Sequence, residues 1–254
     1  MAKNSKNGFK PGFSDRYRIE DGSKFVLADQ STEPAIKFNN GDAKELLEEI
    51  VEEISELQNK LYADNKWALL LVFQAMDAAG KDSTIKNILT GVNPQGVDVF
   101  SFKAPSTLEQ DHTYLWRTDL VAPERGKIGV FNRSYYEETL VVRVHPEILA
   151  KQHIDKSLIT ENIWQERFED IRHREKHLRR NGTIVLKFFL NISRAEQKQR
   201  FLDRIDRPQK NWKFEKADIH ERQFWNDYMH AYEETIRHTA TEHAPWYVIP
   251  GDSK

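Results

Sequence analysis

Cysteine is absent from the 254 residues. That excludes a disulfide framework and any thiolate-held metal, and it points to a reducing cytoplasm as the working compartment. No apolar run approaches the roughly 20 residues that a membrane-spanning helix needs. The opening MAKNSKNGFKPGFSDRY also lacks the apolar segment of a signal peptide. A cytoplasmic chain without a membrane partner is therefore expected. An excess of one charge is missing too: the formal net charge is −2, which argues against a nucleic-acid partner. No internal repeat is visible.

What is present is an alternation of helical and strand patterns. Residues 1–40, rich in Gly, Lys, Asn and Pro, read as an extended arm on the body or on a neighbouring subunit. Residues 41–254 suffice for one domain with one core. Leu46, Leu47, Ile50, Val51, Ile54, Leu57 and Leu61 fall on one helical stripe and predict a packing helix over 42–61. Trp67 to Phe73 is a continuous apolar run, as in a parallel strand buried on both faces. Further strands are expected at 97–102, 127–131, 182–193 and 244–250. Helices are expected at 81–90, 107–118, 158–180, 194–205 and 218–236, with a loop at 208–214. Trp225, Tyr228, Met229, Tyr232 and Ile236 read as a core-facing stripe. This order predicts an α/β fold with a parallel sheet covered on both faces.

Three motifs carry chemistry. In QAMDAAGKDST, Gly80 and Lys81 supply the G-K of a phosphate loop, while Ala75 stands for its first glycine and Asp82 for its magnesium-binding hydroxyl. The following helix presents unbonded N–H groups and a positive dipole end to an anion, and Lys81 adds a full charge. Asp77 brings a further acid. The second motif, KIGVFNRSYYEE, ends a strand in Asn132, Arg133 and Ser134, at the sheet edge where open α/β folds bind ligands. The third is a run from Arg194 to Lys213 with seven basic residues against three acids, a net charge of +4. Arg200, Arg204 and Arg207 would share one helix face there. Leaving the same sheet edge, this segment, about 194–217, suits a lid over phosphates. A second basic run, Arg167 to Arg180, reads as a solvated face.

Taken together, QAMDAAGKDSTIKNILTGVNPQGVDVFSFKAP, FNRSYYEETLVVRVHPE, LKFFLNISRAEQKQRFLDRIDRPQKNWKF and HAPWYVIP resemble the polyphosphate kinase 2 family from about residue 20 onward. FNRSYYE, rather than FDRSWYN, is similar to its class III subgroup. The resemblance implies a phosphate-loop kinase fold like that of thymidylate kinase, three layers α/β/α with a helical lid. It further implies transfer from inorganic polyphosphate to AMP and ADP, dependence on Mg2+ with Mn2+ able to substitute, and a homo-oligomer, dimer or tetramer. Relatives continue past the VIPGDSK at which this sequence stops.

On that resemblance, Ala79, Gly80, Lys81, Ser83 and Thr84 would hold the donor's terminal phosphates, and Arg200, Arg204, Arg207 and Lys210 would follow its chain outward. The nucleotide would lie toward Asp82, Phe102, Arg117, Asn132, Arg133 and Glu137. Asp77 and Glu137 would hold the metal, Lys81 and Arg133 would stabilise the transferring phosphoryl group, and Asp82 would orient the acceptor phosphate. Adenine against guanine stays open. Two other readings share these motifs: an ATP-dependent nucleoside monophosphate kinase, and a non-catalytic nucleotide- or polyanion-binding module.

Overall fold

The apolar run after Trp67 forms the middle of a sheet because both of its faces are covered. A computed structural model describes residues 13–36, 39–213 and 216–253. Among these, six strands pair in the order β1-β6-β5-β2-β4-β3. They are β1 (Arg18–Ile19), β2 (Ala68–Ala75), β3 (Val97–Ser101), β4 (Ile128–Asn132), β5 (Thr183–Asn191) and β6 (Trp246–Pro250). All neighbours run parallel except β1, which pairs antiparallel with β6. In register, Leu69 lies opposite Ile128 and Leu70 opposite Val185.

The period of two along β2 sorts its side chains between two cores. Phe73, Leu69 and Leu71 join Ile85, Ile88 and Leu61 beneath the helices Asn40–Asp64 and Lys81–Leu89. Leu70 and Val72 join Phe131, Ile171, Phe189, Tyr232 and Ile236 beneath the helices Ile163–Arg180 and Trp225–Thr239. Leu70, Val72, Val130, Phe131, Val185 and Phe189 have no accessible surface. The fold is thus the expected three-layer α/β/α arrangement, with the parallel strands ending on one edge.

Several elements depart from expectation. The stretch 107–118 is two single turns, Thr107–Gln110 and Trp116–Asp119. Ser106 and Glu109 form a capping box at its start, but Leu108 stays 62% exposed, and burial rather than propensity sustains short helices. The expected 158–180 helix begins at Ile163, and 218–236 resolves into a short helix Lys216–Glu221 and a longer one Trp225–Thr239. The 208–214 loop is a 3-10 helix over Pro208–Lys213. On the Asn40–Asp64 helix, Ile50 and Leu57 remain exposed, so the stripe is only partly used in packing. Of the expected arm, residues 1–12 and 37–38 lie outside the described residues, as do 214–215 of the expected lid. The rest of the arm lies on the body: Phe25 and Leu27 are buried, and the Phe25 carbonyl accepts from Arg237 at 2.8 Å.

Candidate active site

Where β2 ends at Ala75, the chain turns through two left-handed residues, Ala78 at φ 63° and Gly80 at φ 102°. Only glycine takes up the second without strain. The turn aims the first amides of the Lys81–Leu89 helix into the space above the sheet edge, and the Thr84 amide closes the first helical bond on the Gly80 carbonyl at 3.0 Å. Lys81 folds back over the loop and donates to the Ala75 carbonyl at 2.8 Å. Burial pushes its pKa below the ordinary lysine value, with Asp77 opposing most strongly and Glu137 and Asp82 also countering.

Beside this loop, β4 delivers the second motif. The Arg133 amide donates to the Phe73 carbonyl at 3.0 Å, and Arg133 itself sits at φ 63°. That turn carries its guanidinium to Asp77 at 3.0 Å and to within 3.9 Å of Glu137. Desolvation works against the guanidinium's charge, but Glu137 and Asp77 outweigh it and raise the pKa. Glu137 is pushed up by desolvation, against Arg133 and Lys81. Asn132 donates to Asp82 at 2.7 Å, binding the end of β4 to the loop helix. Lys81, Asp77, Arg133, Glu137 and Asp82 therefore form one electrostatic unit built from two separate strand ends.

Two cavities meet at this unit, sharing Asp77 and Arg133. The first, about 450 Å³, is lined by Ala79, Gly80, Lys81, Asp82 and Ser83 from the loop, by Phe102, Lys103 and Asn132, and by Arg200, Arg204 and Lys210. The second, about 310 Å³, is lined by the apolar Leu140, Val141 and Ile148, by Tyr228 and Tyr232, and by Glu137. His145 in that lining stands between Glu147 at 3.2 Å and Glu221 at 3.0 Å.

The residues expected along the lid do not act as one row. Arg200 is buried: its guanidinium donates to Glu196 and the Ala79 carbonyl at 2.7 Å, to the Ala78 carbonyl at 3.2 Å and to the Gly251 carbonyl, so it props the loop from behind. Arg204 pairs with Asp218 at 3.4 Å. The helix ends at Asp206, and Arg207, held extended before Pro208, lies outside the lining of the first cavity but pairs at 3.3 Å with Asp203, which is part of it. Thr84 lies outside the cavity lining, whereas Ser83 is part of it. Arg117 lines neither shared cavity. It donates to the Lys103 carbonyl at 2.7 Å, lies over the Phe102 ring, and borders a separate cavity of about 930 Å³. Phe102 packs edge-on against Phe131 and still lines the first cavity.

Sequence reasoning passed over several residues here. Gln197 is buried and donates to the Asp77 carbonyl at 3.0 Å, fixing the loop from the Arg194–Asp206 helix. Lys103 lines the first cavity and His145 the second; both lie in stretches that carry the resemblance, FSFKAP and VRVHPE, without having been given a role there. Tyr228 and Tyr232 do belong to the core stripe, but they are also cavity wall.

Comparison with known proteins agrees with this geometry. The family model for polyphosphate kinase 2 matches residues 37–254. An ADP-polyphosphate phosphotransferase of Rhodopseudomonas palustris is 51% identical over 241 residues, covering 94% of this chain and 83% of that protein. An AMP/ADP-polyphosphate phosphotransferase of Meiothermus ruber is 43% identical over 239 residues, covering 93% of this chain and 85% of that protein. The crystal structure of polyphosphate kinase 2 from Arthrobacter aurescens TC1 matches with a TM-score of 0.85 at 38% identity, covering 94% of this chain and 82% of that one. With a phosphate loop and the basic helix Arg194–Asp206 on a shared sheet edge, and with likeness along nearly its whole length, this chain belongs to the polyphosphate kinase 2 family.

Proposed function

We propose that this phosphotransferase moves a phosphoryl group reversibly from inorganic polyphosphate to AMP and ADP, giving ADP and ATP, as the class III subgroup does. The observation that carries the reading is the meeting of a basic cavity and a half-apolar one at Asp77 and Arg133. A polyphosphate donor has no base to bind and needs only positive charge along its path. The first cavity supplies it through Lys81, Arg204, Lys210 and Lys103. Gly80 and Ser83 offer loop and helix amides to the terminal phosphates, while Ala79 and Thr84, whose amides are bonded to the Met76 and Gly80 carbonyls at 3.2 and 3.0 Å, shape the loop that holds them. Arg207 continues the basic path outside the cavity, and Arg200 contributes by fixing the loop. An acceptor nucleoside needs a wall for its ring, and Leu140, Val141, Tyr228 and Tyr232 give the second cavity that character. Its phosphates then reach Arg133, Asn132 and Asp82 at the junction, with Phe102 at the rim of the first cavity. Arg117 acts through Phe102 and Lys103.

The chemistry is one of alignment and charge. Lys81 and Arg133 neutralise negative charge on the phosphoryl group in transit, from the donor side and the acceptor side. Asp82, held by Asn132, orients the attacking acceptor phosphate, which needs little deprotonation. Asp77 and Glu137 suit Mg2+, with Mn2+ as a substitute. Among the described residues no cluster of three or more acids or histidines could cage a metal, and magnesium characteristically takes one or two carboxylates together with substrate phosphates and water. Held by Asp77 and Glu137, the ion would supply positive charge against the phosphates. Homo-oligomeric assembly and a cytoplasmic setting belong to the same reading. The exposed Ile50 and Leu57 are apolar surface that assembly would cover, and among the described residues no helix is long and apolar enough to cross a membrane.

The test mixes purified protein, ADP, magnesium and long-chain polyphosphate and measures ATP, with AMP and GDP as parallel acceptors. ATP formed from ADP, and ADP from AMP, only when polyphosphate is present is the expected result. No product with polyphosphate, alongside rapid exchange between ATP and a monophosphate, would replace the reading with an ATP-dependent monophosphate kinase. Binding of both substrates without turnover would leave only a binding module.

A further inference from the structure

The mechanism leaves unused a pair of charges without solvent access. Lys187, in the middle of β5, and Glu175, on the Ile163–Arg180 helix, have no exposed side-chain surface and meet at 2.7 Å. Every ammonium proton has an acceptor: Glu175 Oε2, the Thr239 carbonyl at 2.8 Å and the Tyr136 hydroxyl at 3.0 Å. Glu175 Oε1 accepts from the hydroxyls of Tyr135 at 2.9 Å and Tyr136 at 2.8 Å. The Tyr136 ring is wedged edge-on against Trp246, whose Nε1 donates to Thr239 Oγ1 at 2.9 Å.

As a stabilising device this pair is poor, because apolar side chains of similar volume usually serve as well or better. What it provides is definition. The two tyrosines it grips lie between Arg133 and Glu137, in a turn that already holds Arg133 in the left-handed region and bonds the Tyr136 amide to Ser134 Oγ at 3.1 Å. From the other side, the Arg133 amide is tied to β2 through the Phe73 carbonyl. We propose that Glu175 and Lys187 are positioning residues: by holding both tyrosine hydroxyls from inside the core, they set the 133–137 turn so that Arg133 and Glu137 face the junction of the two cavities. For its rate readout, this inference rests on the phosphotransferase reading above.

The first test variant is Tyr136→Phe, which keeps the ring and its packing and removes the hydroxyl. A second combines Glu175→Gln with Lys187→Met, which removes both charges at nearly constant volume. Tyr136→Phe removes two hydrogen bonds to charged partners, Glu175 and Lys187, and should lower kcat at least about tenfold, with the charge-free pair moving it in the same direction, while KM for polyphosphate stays put. Amide hydrogen exchange of the peptide 132–138 should speed up by a similar factor while that of 183–191 keeps its protection. Unchanged kcat and unchanged exchange in Tyr136→Phe would overturn the proposal. So would faster exchange spread evenly over the sheet with activity lost in proportion to unfolded protein, because that marks a merely structural role. If the wild type makes no ATP from polyphosphate, the functional reading falls by itself and the exchange comparison still decides the positioning.

Discussion

Replacing Asp77 with asparagine separates the stability of the site from its chemistry. The carboxylate accepts from Arg133 at 3.0 Å. Two unit charges at that distance attract by about 5 kcal/mol at an effective dielectric of about 20. Both side chains are about 40% exposed, however, so screening reduces the pair's worth to about 1 kcal/mol or less. Arg133 also keeps Glu137 nearby. The variant should therefore melt within about 2–4 °C of the wild type. Turnover should respond differently. A charged contact made at the reacting centre is worth about 2.7–4 kcal/mol, or on the order of 10²–10³ in kcat. The assay is ATP formation from ADP and polyphosphate across a magnesium series, with melting followed in parallel by calorimetry. A kcat near that of the wild type at saturating magnesium would refute the reasoning and remove Asp77 from the mechanism.

Three further outcomes follow from the same geometry. Because burial holds the Glu137 carboxyl above the usual carboxylate range, and a metal needs the ionised form, activity should decline on acidification at a pH above that range; Glu137→Gln should remove that limb from the pH–rate profile, and a limb that persists would assign it elsewhere. Gly80→Ala forces a side chain to φ 102°, which costs about 1–2 kcal/mol, so chemical denaturation should show that loss together with weakened polyphosphate binding. Lys210→Ala should raise KM for polyphosphate about fivefold, equivalent to about 1 kcal/mol, with little change in KM for ADP; equal changes in both would contradict the division of the two cavities.

The sheet was legible because burial on both faces leaves an unbroken apolar run, as at Leu69–Phe73, and such runs read the same whatever surrounds them. The loop was legible because Gly80 and Lys81 stand between strand and helix. Arg200 was not: on a sequence, an arginine on a basic face is the same whether its guanidinium meets solvent or, as here, loop carbonyls. The 200–204–207 row failed at a visible signal, since Pro208 forces the preceding residue out of helical geometry. Arg117 and the wall of the second cavity depend on how distant segments meet. Tyr228 and Tyr232 gave a true packing signal that concealed a second use.

Arg200 also fixes where movement can occur. Its bonds to the Ala78, Ala79 and Gly251 carbonyls weld the middle of the Arg194–Asp206 helix to the phosphate loop and to the residue after the last strand, so these three form one part. Past Asp206, where Arg207 leaves the helix and Pro208 begins a tighter turn, the chain is tied back to that helix by Asn211, which donates to the Arg204 and Ile205 carbonyls at 2.8 and 2.7 Å. Arg204 and Lys210, which line the first cavity, are thus braced to one helix and so to the loop beneath it, and any motion that opens the cavity has to carry them together.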